Sequence, residues 1–182
     1  VRDATLAELA LHGYAGLTVE NVAERSGVHK TTVYRRWGGV DGLVVDALDL
    51  AGEDSWRPPD TGSLEGDLRG LADEVRATFA DAEAGAAPSA FVAAAFHSER
   101  AAAALHAFFR DRHARSAVIV ERAERRGEVP AGTDAGAVVR ATTAPLYFRL
   151  FITGEPMDGG TVAQAVGAAV AAARAGVFAA GG

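Results

Sequence analysis

Apolar side chains recur at helical spacing along nearly the whole chain, and strict alternation bounded by tight turns is almost absent. Ala4, Leu6, Leu9 and Ala10 predict a first helix over residues 1–12, ended by His12 and Gly13. Thr18 is placed to cap a second helix over 18–25, with Glu20 near the positive end of its dipole, and Ser26 and Gly27 break it. A third helix is predicted over 29–36, stopped by Gly38 and Gly39, and a fourth over 40–53. Residues 56–62, WRPPDTG, read as a loop too short to be a flexible linker. Beyond it the pattern predicts a helix over 63–83, with Leu64, Leu68, Leu71, Val75 and Phe79 on one face. Further helices follow over 88–97, 99–126, 134–153 and 159–178, with Asp134 as a cap. The expected fold is all-α, about nine helices, with a small three-helix head over 1–47 and a larger helical body over 48–182.

The last two predicted helices are apolar around most of their circumference, and the final one, TVAQAVGAAVAAARAGVF, has the single charge Arg174. Such a helix needs cover on more than one side, and Gly167, Ala168, Ala171 and Ala172 allow close approach. These two helices are therefore expected to form a homodimer interface, four helices across a two-fold axis.

Residues 18–37, TVENVAERSGVHKTTVYRRW, have the layout of a helix-turn-helix. Ala23 suits the helix crossing, Gly27 the turn, and Val22, Val28 and Val33 the packed face. That leaves His29, Lys30, Thr31, Thr32, Arg35 and Arg36 exposed on the second helix, whose N-terminal half should face base edges. Tyr34 is expected at the DNA backbone. A net charge of −6 argues against nonspecific coating of nucleic acid, yet residues 25–37 hold Arg25, Lys30, Arg35 and Arg36 and no acid. The chain has 17 arginines and one lysine, a bias that weakens arginine as evidence and makes the position of Lys30 more telling.

With these residues in hand, the first 48 resemble the DNA-binding head of the TetR family of bacterial transcriptional regulators. The resemblance rests on Gly13-Tyr14, Leu17-Thr18-Val19, Val22-Ala23, Gly27-Val28, Thr32-Val33-Tyr34, Trp37 and Leu43. The stretch APLYFRLFITGEP, residues 144–156, is similar to one branch of that family. The resemblance implies a homodimeric, ligand-responsive regulator, usually a repressor, on double-stranded DNA. It implies that Thr18 and Tyr34 hold phosphates, that Lys30, Thr31 and Thr32 lie nearest the bases, and that Arg35 and Arg36 flank them. Two positions depart from the family pattern. His29 stands where Ser or Thr usually caps the recognition helix, and histidine is a poorer cap. Val40 stands where a phosphate-binding Lys is usual, so Arg35, Arg36 or the amides of Gly39 and Val40 would substitute.

Candidates to line an effector pocket in the body are Phe79, Phe91, Phe96, His97, Phe108, Phe109, Arg112, His113, Tyr147, Phe148, Arg149 and Phe151. Their character points to an apolar or aromatic small molecule. Pro145 should kink its helix. His106 and His113 are seven apart with no acid or cysteine placed beside them, so no metal and no cofactor are expected. Zero cysteine suits a reducing cytoplasm, and no apolar run approaches the ~20 residues of a membrane span. No nucleophile motif, P-loop or Rossmann glycine pattern argues for an enzyme. The competing function is a helical protein–protein adaptor with a vestigial head, against which the intact basic segment speaks.

Overall fold

The computed structural model describes residues 1–53, 56–80 and 85–179, and every helix or strand element among them is helical. In chain order they are α1 (Arg2–Gly16), α2 (Val19–Ser26), α3 (Lys30–Trp37), α4 (Val40–Gly52), α5 (Leu64–Thr78), α6 (Ala86–Ala95), α7 (Glu99–Arg125), α8 (Ala135–Phe148) and α9 (Gly159–Arg174). The all-α expectation holds. Among the described residues, no helix is long and apolar enough to cross a membrane.

Several boundaries differ from expectation. The backbone of α1 leaves helical values at Gly13 (φ 64°, ψ −176°), as the sequence suggests, but one more turn follows to Gly16. α5 stops at Thr78, and residues 81–83 of the expected helix lie outside the described residues. The helix expected over 134–153 is α-helical only to Phe148. It runs through Pro145 and then widens into a π-helical turn, Arg149–Thr153, closed where Gly154 turns left-handed (φ 65°). α9 ends at Arg174 because the N–H groups of Gly176 and Val177 turn back onto the carbonyls of Ala173 and Ala172.

The helices pack as two compact units. The first comprises Val1–Ser55 and Asp81–Arg110, so α6 and the first part of α7 pack with α1–α4. Its core contains Leu9, Val22, Val33, Leu43, Val44 and Phe91, all buried. α6 is mostly alanine, and its Ala90 and Ala94 are buried in that core. The second unit comprises Trp56–Ala80 and Asp111–Gly182. Leu64, Leu68, Leu71, Ile119, Val138, Leu146, Val162 and Val166 fill its core.

Local chemistry sets the ends of these elements. Ser63 caps α5 by accepting the Gly66 N–H (3.1 Å), and the Glu128 carboxylate accepts the Leu64 N–H (2.9 Å). Asp134 and Asp158 cap α8 and α9. The widened turn after α8 is tied to α9 by Arg149, which donates to the hydroxyl of Thr161 and pairs with Glu155 at 2.7 Å. α9 turns Val162, Ala165, Val166, Ala169, Val170 and Ala173 inward, while Ala163, Gly167, Ala168 and Ala171 stay exposed. The helix is therefore covered on one face only within its own unit.

Two features hold the helix-turn-helix. At the turn, Gly27 is left-handed (φ 67°, ψ 14°), and the Val28 N–H reaches back to the Ala23 carbonyl at 3.1 Å. A Cβ on Gly27 would meet nothing within 4 Å, so only the backbone conformation demands glycine there. Asp46 on α4 forms the second. Its carboxylate accepts the indole N–H of Trp37 at 2.7 Å and the Arg2 Nε–H at 2.8 Å, joining α1, α3 and α4. The Arg2 hydrogen bond holds the Asp46 carboxyl below its ordinary value of 3.8 against the opposing effect of partial burial, and Trp37 adds to the depression.

Two predictions follow from this frame. Gly27→Ala should destabilise the protein by about 1–2 kcal/mol through left-handed strain alone, and Gly27→Asn by less, measured by urea unfolding. Asp46→Ala should cost about 2 kcal/mol at neutral pH through loss of hydrogen bonds to a charged group. A depressed carboxylate stabilises fully above its unfolded value and loses that contribution as pH falls through the folded one. The parent and Asp46→Ala should therefore converge in stability below about pH 3.8.

Candidate nucleic-acid interface

The second helix of the motif, α3, has eight residues and buries one of them fully, Val33. Its helical repeat then leaves His29, Lys30, Thr31, Tyr34, Arg35 and Arg36 exposed, Tyr34 at 47%, with Thr32 half-buried beside Val33. Both ends are closed. The His29 Nδ1 accepts the Thr31 N–H at 3.3 Å, and the Gly38 N–H bonds the Tyr34 carbonyl at 2.9 Å. His29 thus caps the helix in place of the usual hydroxyl, over a longer bond than most caps make. The Thr18 hydroxyl oxygen caps α2 by accepting the Asn21 N–H at 3.1 Å, which leaves its own O–H to donate outward.

The positive footprint is narrower than the sequence suggests. Arg25 is engaged by Glu8, a buried acid of α1, and so serves packing of α2 on α1. The remaining basic surface is Lys30, Arg35 and Arg36, with the Arg36 guanidinium 5.0 Å from the Trp37 ring centroid. Tyr14 is turned inward: its hydroxyl donates to Asp41 at 3.2 Å, and burial pushes the phenol up, with Asp41 adding to the rise.

The expected effector residues do not form one cluster. Phe91 is buried in the core of the first unit, Phe108 lies half-buried beside Gly52, and Phe96 is 83% exposed. His97 stacks on Tyr14 with ring centroids 5.7 Å apart, and Phe109 meets Phe108 edge-on at 5.5 Å. These residues belong to the first unit. In the second unit, Phe79, Tyr147 and Phe151 do come together, with centroids 5.6 to 6.3 Å apart. Burial pushes the Tyr147 phenol up. Burial, then the charge of Arg140, lowers the pKa of His113 and favours its neutral form. Phe148 is 56% exposed and lines an open groove between α8 and α9 with Arg149, away from the buried core.

Trp56 was missed because it lies in the loop-like stretch 56–62. Its indole N–H donates to Glu74, and Arg112 and Arg115 lie 4.4 and 5.5 Å from its ring. The only available signal was a tryptophan among turn residues, which is weak. Asp46 was missed because its partners are 9 and 44 residues away.

Comparison with known proteins agrees with this geometry. Residues 1–47 match the family described as bacterial regulatory proteins, tetR family, and residues 58–169 match the tetracyclin repressor-like C-terminal domain. The regulator AqdR of Rhodococcus erythropolis is 34% identical over 139 residues, 76% of this chain and 67% of that one. A regulator of Mycobacterium bovis, Mb1581, is 32% identical over 162 residues, covering 87% and 78%. The crystal structure of the TetR family regulator SCO0332 superposes with a TM-score of 0.72 at 28% identity, over 93% and 94% of the two chains. A structure of SmeT in complex with triclosan shares the fold, with a TM-score of 0.63 at 20% identity over 100% and 93%. The protein is therefore a helix-turn-helix transcriptional regulator, and the chain belongs to the TetR family.

Proposed function

We propose that this regulator is a homodimeric repressor whose operator binding is released by an apolar or aromatic small molecule. The observation that carries the DNA half of this reading is α3, which packs Val33 and, in part, Thr32 and Trp37, and leaves Lys30, Thr31, Tyr34, Arg35 and Arg36 exposed with no acid among them. Thr18 and Tyr34 would hold phosphates, Lys30, Thr31 and Thr32 would face bases, and His29, Arg35 and Arg36 would flank them. Residues 1–47 would serve DNA, and residues 48–182 effector binding and dimerisation, in the bacterial cytoplasm.

The half-covered α9 supports the dimer. Its Ala163, Gly167, Ala168 and Ala171 are exposed, and Ala168 and Gln164, with Ala144, Pro145 and Phe148 of α8, border a groove of about 650 Å³. A second copy of the same face would bury both. The two recognition helices would then read half-sites about 34–36 Å apart on a palindrome.

The aromatic group Phe79, Tyr147 and Phe151 supports an effector of aromatic character, as does the SmeT neighbour solved with triclosan. Arg112, beside Trp56, and a neutral His113 supply polar groups that could orient such a molecule. An effector acts only through unequal affinity for the two arrangements. A hundredfold loss of operator affinity requires about 2.7 kcal/mol of coupling, and DNA must weaken effector binding by the same factor.

A gel shift on the DNA flanking its own gene, at two salt concentrations, tests the DNA half. Specific, salt-sensitive binding is expected, with Tyr34→Ala and Arg36→Ala impaired; a chain that binds no duplex would favour the adaptor reading. Lys30→Ala should lose about 1–3 kcal/mol per half-site on the operator and little on unrelated DNA. An equal loss on both would reassign Lys30 to the phosphates. For the dimer, Ala168→Arg should leave the far-UV circular dichroism unchanged and convert the sedimenting species from dimer to monomer. An unchanged dimer would place the interface elsewhere.

A further inference from the structure

The cations of the first unit divide by what they touch. Arg2 is held by Asp46 and Glu53, and Arg25 by Glu8. Lys30, Arg35 and Arg36 stand on α3 without an acid partner among the described residues. Arg100 shares their chemistry but comes from another element, the first turn of α7. It is exposed, and it makes no ion pair or hydrogen bond among the described residues.

Its position is specific. A Cβ built on Gly42 would lie 3.2 Å from the Arg100 Nη1, so the guanidinium lies over the first turn of α4. The same Cβ would strike the Trp37 carbonyl, so Gly42 keeps α3 and α4 in close approach beneath the arginine. Trp37, Gly38, Gly39, Val40, Asp41, Gly42 and Arg100 line one groove of about 340 Å³ at the C-terminal end of α3. Residues 37–53 contain no lysine or arginine, so the connection and α4 bring no cation of their own. Asp41, the one acid lining the groove, receives the Tyr14 hydroxyl and makes no ion pair with Arg100.

We infer that Arg100 is a DNA-backbone residue, which takes a phosphate where the duplex leaves the end of the recognition helix. The inference rests on the DNA-binding reading above. A duplex seated on α3 carries about one charge per 1.7 Å of its axis, so phosphates continue past Trp37 over this groove. Arginine suits the task, since its fork of N–H donors meets a phosphate by two bonds. Arg110 provides an internal control: it is also exposed, on the same helix, about 15 Å further along by helical rise.

The test is the salt dependence of binding to a labelled 30-base-pair duplex of mixed sequence, which needs no knowledge of the operator. Wild type, Arg100→Gln, Arg100→Lys and Arg110→Gln are titrated at four salt concentrations, and their thermal unfolding is recorded. Each phosphate contact contributes about 0.9 to the slope of log affinity against log salt. Arg100→Gln should reduce the slope by about that amount for each bound copy of the chain, Arg100→Lys should restore it, and Arg110→Gln should leave it unchanged. An unchanged slope in Arg100→Gln overturns the inference, and so does a lowered unfolding temperature with the slope intact, which marks a packing role. Equal slope losses in Arg100→Gln and Arg110→Gln overturn it as well, since net charge then explains both. If wild type shows no salt-sensitive binding to any duplex, the DNA-binding reading fails first.

Discussion

The recognition helix must be held in place by very little of its own surface. An isolated helix of eight residues is not stable in water, and packing normally supplies what propensity does not. Here α3 buries only Val33 fully, with Thr32 and Trp37 half-buried, and the rest of its circumference is exposed. The load passes to its ends. Gly27 sets the entry angle, His29 closes the first turn, Gly38 closes the last, and Trp37 is pinned to Asp46. Asp46 is in turn held by Arg2, so the last residue of α3 is braced by α1 and α4 together. The first unit reads as a clamp around one short helix, which explains why its buried polar chemistry gathers at helix junctions.

Acid and base are sorted along the same lines. Glu8 is buried and engages Arg25, while Asp41 takes the Tyr14 hydroxyl. These acids face inward or sideways, and none lies on α3. An acidic protein can thus present a basic helix because no acid stands on α3 itself. The exposed charge is smaller than a count along residues 25–37 suggests, since one of the four cations, Arg25, is paired with Glu8.

What could be read from the sequence was what local chemistry determines. The break at Gly13, the cap at Thr18, the turn at Gly27, the stop at Gly38 and the cap at Asp134 each depend on residues within one turn. The family resemblance sits in the same stretch for the same reason. Long-range pairing was not legible. Nothing in the alanines of α6 says that Ala90 and Ala94 pack with α1 and α4, and Phe91 reads equally as core or pocket until its neighbours are known. Aromatic residues that look alike in the sequence end in different places: Phe79, Tyr147 and Phe151 meet, Phe96 faces solvent, and Phe148 borders a groove. The π-helical turn after α8 escaped because hydrophobic periodicity does not distinguish a ladder that slips by one residue.

Lys30 has a consequence for how this protein can be handled. It is the only lysine of the chain and stands exposed on the second helix of the motif. Amine-directed reagents, whether fluorophores, biotin esters or cross-linkers, therefore meet a single side-chain target, and it lies on the face that would meet the duplex. Labelling through lysine would fall on the face proposed to meet the duplex, and DNA bound there would shield that amine from the reagent.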